Sequence, residues 1–124
     1  ASITLRNTKG IDIIATNEEG SKTINIQVKT SGLKTRGWIL NKKAEDMVDK
    51  NMFYILVRLT DLDKSPDFHI IPSRDLAHSI KTGHKKWLKT PGRSGKKHND
   101  TNMRKFEDPN NTYLNRWDLL GLDD

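Results

Sequence analysis

From Thr23 to Thr30 the chain alternates apolar and polar side chains without a break. Ile24, Ile26 and Val28 fall on one side, and Asn25, Gln27 and Lys29 on the other. That period of two is the pattern of a strand with one buried face. A second run, Gly10-Ile11-Asp12-Ile13-Ile14-Ala15, precedes it, and Asn17-Glu18-Glu19-Gly20-Ser21 lies between them as a hairpin turn. Such a hairpin sets an aspartate, an amide and an ammonium group side by side, where they can hold a metal ion against a phosphate.

Asp12 is out of place in a run of isoleucines. Strand propensity disfavours it, and an unpaired carboxylate in apolar surroundings costs on the order of several kcal/mol. Lys29 carries the same disadvantage at the end of the next strand. A salt bridge between the two is the simplest structural account. Gln27 adds a third polar group on the face of Lys29, giving an Asp followed by Gln-x-Lys on the adjoining strand.

The remaining elements follow from local signals. Residues 2–6 and 11–16 read as strands around the turn Asn7-Thr8-Lys9-Gly10. Residues 31–41 read as a loop carrying Trp38, and residues 42–49 as a short acidic helix. The nearly continuous apolar run Met52-Phe53-Tyr54-Ile55-Leu56-Val57 predicts a central strand covered on both faces. Residues 67–71 form another strand, with His69 half-exposed on it. Pro72-Ser73 then makes Ser73 the N-cap of a helix that starts at Arg74 and runs toward Lys89, where Pro91-Gly92 stops it. A loop rich in Gly, Lys and Asn follows. Residues 112–122 read as a closing helix with Tyr113, Leu114, Trp117 and Leu120 turned inward.

The chain has 124 residues, 33% hydrophobic and 31% charged, which suits one domain spanning 1–124. It has no cysteine, so disulfides and thiolate chemistry are excluded. No apolar run approaches the roughly 20 residues of a membrane span, and the expected location is the cytoplasm. The chain enters a strand-like segment directly after Ala1, so a leading helix is expected to be missing. Positive charge is concentrated in a basic helix and loop over 81–111. From Lys81 to Lys105, Lys81, Lys85, Lys86, Lys89, Arg93, Lys96, Lys97, Arg104 and Lys105 stand against one acid, Asp100, in a chain whose total is +6. Such a concentration attracts polyanions, and DNA is the natural partner. A solvated basic helix and loop would look the same.

Other chemistries lack their residues. His78, His84 and His98 have no zinc-ligand spacing. Gly92-Arg93-Ser94-Gly95-Lys96 lacks the spacing of a phosphate-binding loop and the strand before it, so it reads as a flexible basic loop. With Lys85, Lys86 and Lys89 this loop can line a nucleic-acid groove in which Trp87 stacks on a base. Packing residues are the plainer account of Trp38, Trp87 and Trp117.

The order of these features resembles the PD-(D/E)XK nuclease superfamily. The resemblance rests on Gly10-Ile11-Asp12-Ile13, Ile26-Gln27-Val28-Lys29-Thr30-Ser31, the strand 53–57 and Phe68-His69-Ile70-Ile71-Pro72-Ser73, and covers residues 1–77. It implies an α/β fold with a restriction-endonuclease-like core, a mixed central sheet of four to five strands flanked by helices. It also implies hydrolysis of DNA phosphodiester bonds with Mg²⁺ or Mn²⁺. Asp12 would be the principal metal ligand, joined by Gln27 and the Val28 carbonyl. Lys29 would orient or deprotonate the attacking water, or offset charge on the phosphorane. Two departures stand out: Gln27 replaces the usual acid, weakening the metal site by one charge, and Ile11 replaces the usual proline. Glu45 or Asp46 on the following helix is a candidate substitute acid. Cutting both strands of a duplex would call for a homodimer. Two alternatives remain beside the nuclease: a catalytically inactive DNA-binding module on the same scaffold, and a protein-interaction domain whose hairpin is held by an Asp12–Lys29 salt bridge.

Overall fold

The structure is a computed structural model that describes residues 2–5 as backbone, and residues 12–32, 37–60, 64–92 and 95–122 in full. Five strands form one mixed sheet in the order β1 (Ser2–Leu5), β2 (Ile13–Thr16), β3 (Thr23–Ser31), β5 (Met52–Arg58), β6 (Asp67–Pro72). All neighbours are antiparallel except β3 and β5, which run parallel. A parallel pair needs a crossover. Here it is residues 32–51, which contain β4 (Trp38–Asn41) and a 3-10 turn, Lys42–Glu45. Helix α1 (Ser73–Lys89) leaves β6 directly, and β7 (Met103–Phe106) follows it.

The alternation in the sequence decides which residues are buried where. On one face Tyr54, Leu56 and Ile71 meet Leu76 and Ile80 of α1, together with Trp38, Leu40 and Phe106 from β4 and β7. On the other, Ala15, Ile24, Ile26 and Phe53 are covered by Leu119, Leu120 and Leu122 near the end of the chain. The sheet is thus the middle of three layers, and β5 is buried on both sides, as its apolar run predicts. Each fully buried Leu or Ile contributes about 1.5–3 kcal/mol. Among the described residues no helix is long and apolar enough to cross a membrane.

Several expectations from the sequence are corrected. The expected loop at 31–41 contains β4, which pairs antiparallel with β7 from Trp38↔Phe106 to Asn41↔Met103. The basic segment 81–111 is therefore more than a helix and a loop, because β7 lends Arg104 and Phe106 to the interior. The acidic helix at 42–49 shrinks to the 3-10 turn, capped by Asn41, whose Oδ1 accepts the Lys43 N–H.

The closing helix is absent. Asn111 and Asn115 both sit at φ 54°, a left-handed conformation that interrupts a right-handed helix. Only the 3-10 turn Trp117–Leu120 remains, and Trp117 lies exposed against Phe68 rather than inward. Ser73 is not the N-cap, which is Pro72 with no side-chain hydrogen bond. Instead the buried Ser73 hydroxyl donates to the Asp49 carbonyl and accepts the Asp49 N–H, tying α1 to the turn before β5. His69 is buried rather than half-exposed, and pairs with Asp108.

Candidate functional site

The hairpin register positions the polar groups that the sequence singles out. Ile13 pairs with Ile26, so Asp12 stands one step further, level with Gln27. The Asp12 N–H donates to the Ile26 carbonyl at 3.0 Å, and its Oδ2 accepts the Val28 N–H at 2.9 Å. Asp12 thereby holds β3 on either side of Gln27. Its carboxylate takes the place that a backbone carbonyl of β2 would occupy had the ladder continued.

The N–H and C=O of a strand residue point to the same neighbour. The Val28 carbonyl is therefore directed to the same edge as the Asp12 carboxylate. Gln27 and Lys29 are half-buried on the face they share, beside Tyr54 and Leu56 in the parallel register of β5. Asp12 is exposed. No ion pair joins Asp12 to Lys29, so the salt-bridge account of the hairpin does not hold. Lys29 has no ionic partner among the described residues.

The donors available to a divalent cation are one carboxylate, one amide oxygen and one backbone carbonyl. All are hard oxygens, which suits Mg²⁺ or Mn²⁺, with water or phosphate oxygens completing the shell. Among the described residues there is no group of three or more acids or histidines able to hold a metal. The set fits the ion, with low charge. Glu45 contributes its charge elsewhere: its carboxylate receives the Nε–H of Arg104, whose side chain is 4% exposed. Arg104 Nη1 also donates to the Thr101 and Met103 carbonyls, so Glu45 neutralises a buried cation that is anchored to the backbone as well.

The expected DNA-binding cations lie on α1 and the loop after it. Lys81, Lys85 and Lys89 recur every four residues and form one exposed stripe. It lies on the side of the helix away from Leu76 and Ile80. Lys86 sits between that stripe and Trp87. Lys96 and Lys97 are exposed on the loop, and Arg93 lies outside the described residues.

Comparison with protein-family models, curated proteins and solved structures found no match.

Three polar arrangements went unread in the sequence. The His69–Asp108 pair joins positions 39 apart, and the Arg104–Glu45 pair positions 59 apart, without any local pattern to reveal them. The third had a signal. His84 and Trp87 are three apart on one helix, a spacing that brings rings together, and their centroids are 5.5 Å apart. His98 joins them from the loop, stacked on Trp87 at 4.0 Å and 17°. The His84 Nε2 hydrogen-bonds Asp100, which holds the Asp100 carboxyl below the usual carboxylate range.

Proposed function

We propose that the chain is a divalent-metal-dependent nuclease that hydrolyses DNA phosphodiester bonds, built on a restriction-endonuclease-like core. The observation that carries this reading is the bracing of Asp12 around Gln27, with Lys29 on the Gln27 face and without an ionic partner among the described residues. Asp12, Gln27 and the Val28 carbonyl would hold Mg²⁺ or Mn²⁺, which supplies a Lewis acid for the phosphate and an acidified water. Lys29 places a positive charge beside the scissile phosphate. As the ammonium it stabilises the charge that develops there; as the neutral amine it would instead accept the proton of the attacking water. Hydrogen bonding to Val28 fixes the Asp12 carboxylate before substrate arrives, so little reorganisation is needed during the reaction. The exposed cations of α1 and its following loop grip the phosphate backbone.

The test is cleavage of plasmid DNA over a titration of Mg²⁺ and Mn²⁺. The expected result is metal-dependent nicking by the parent protein and none by Asp12→Ala, with DNA binding retained in both. A second reading, an inactive DNA-binding module, draws on the single carboxylate among the donors. Binding without cleavage at every metal concentration would favour it and overturn the first.

A further inference from the structure

Between the second half of α1 and the outer face of the β4–β7 ribbon lies a groove of about 620 Å³. Its floor is apolar and open to solvent. Ile39 is 48% exposed, Met103 60% and Trp87 40%, although each projects from a regular element. Alternation accounts for two of them: Trp38, Leu40, Arg104 and Phe106 face inward, which turns Ile39 and Met103 out. Trp87 ends the wall on the helix side, with the His98 imidazole against it. Lys105 and Glu107 line the groove as an ion pair and Arg104 reaches it while bound to Glu45, so the positive charge left for a ligand is that of Lys86, next to Trp87 along α1, and of Lys96 and Lys97 on the loop carrying His98.

Flat heteroaromatic surface together with positive charge suits one class of ligand. A base stacks on an indole whatever its identity, and the lysines follow the phosphates. A duplex cannot stack on such a floor, because the faces of its bases are covered by one another and only their edges and the backbone reach the protein. The His84 and His98 rings both stack on Trp87, His98 at the separation a base would adopt, so an incoming base would take the place of the His98 ring. We infer that this groove binds an unpaired nucleic-acid strand, with Trp87 stacking on a base and the flanking cations holding its phosphates. The inference rests on the nucleic-acid reading above for the class of partner, and on neither the metal nor catalysis.

The test is fluorescence anisotropy in EDTA, with labelled oligo-dT and a duplex of equal length as probes. The intact chain is compared with Trp87→Ala, Trp87→Phe and Asp12→Ala, each checked for an unchanged melting transition. Oligo-dT is expected to bind more tightly than the duplex. Trp87→Ala should weaken oligo-dT binding about tenfold while Trp87→Phe, which keeps a stacking ring, stays within about threefold of the parent. Asp12→Ala should bind as the parent does. Since no metal is present, loss of cleavage and loss of binding are read separately, and an inactive parent that still binds oligo-dT through Trp87 would sink only the nuclease. The inference is overturned if Trp87→Ala binds oligo-dT as the parent does, if the phenylalanine variant loses as much as the alanine one, if the duplex binds as tightly as the single strand, or if neither probe binds.

Discussion

His69 Nδ1 lies 2.8 Å from Asp108 Oδ2, with both side chains 4% exposed. The same carboxylate accepts the Thr112 and Tyr113 N–H groups, each at 2.9 Å. One buried aspartate thus fastens the segment after β7 to strand β6. Removing it strands an imidazole and two amide donors, so Asp108→Ala should cost about 3 kcal/mol of stability. Asp108→Asn keeps an acceptor and should cost less. Urea denaturation measures both, and a loss below about 1 kcal/mol for the alanine variant would show the pair to be dispensable.

Tyr54 poses the opposite case. It is fully buried, its hydroxyl has no hydrogen-bond partner among the described residues, and burial pushes its pKa up. An unsatisfied buried hydroxyl is a cost that phenylalanine lacks. Tyr54→Phe is therefore expected to leave stability unchanged or raise it by about 1 kcal/mol, read from the thermal transition. Destabilisation by more than that would reveal a partner for the hydroxyl.

At the hairpin, charge and geometry can be separated. Asp12→Asn keeps an oxygen able to accept the Val28 N–H, so its melting temperature should match the parent's while cleavage is lost. Gln27→Glu adds the second carboxylate and should tighten Mg²⁺ binding about tenfold, a change of about 1.4 kcal/mol. Isothermal titration calorimetry decides the matter. Equal affinity in parent and Gln27→Glu would place the ion, if any, away from Gln27.

The acid limb of stability should carry a signature of Asp100. Its hydrogen bond from His84 lowers its pKa in the folded state from the ordinary value of 3.8. A group depressed on folding stabilises the protein above its unfolded pKa, and that contribution is lost as pH falls through the folded value. The effect is thus full above about pH 4 and disappears below it. Side-chain carboxyl NMR should place the Asp100 midpoint below 3.8 in the parent and move it upward in His84→Ala, with Arg104 and Lys42 still drawing it down. An unchanged midpoint in that variant would refute the coupling.

What could be read from the sequence was what depends on neighbours in the chain. The strict alternation at residues 23–30 and the apolar run at 52–57 specify β3 and β5, and the order of Asp12, Gln27 and Lys29 then follows from pairing. Strand β4 escaped notice because it has four residues and its partner is β7, some sixty positions later. Residues 112–122 have helical spacing of apolar groups, but Asn111 and Asn115 take left-handed φ and spend those groups in turns instead. His69 alternates along β6 like any strand residue. Only the distant Asp108 makes its burial affordable.

The ribbon of β4 and β7 has a consequence for how the molecule is made. Trp38 and Leu40 emerge from the ribosome some sixty residues ahead of residues 103–106, the edge that pairs with them. Until synthesis passes that point, a nascent chain displays an unpaired strand beside two large apolar side chains. Such long-range pairing slows folding and exposes the intermediate to aggregation. A ribosome stalled between α1 and β7 would therefore hold the species most in need of a chaperone, and release beyond Phe106 would end that need.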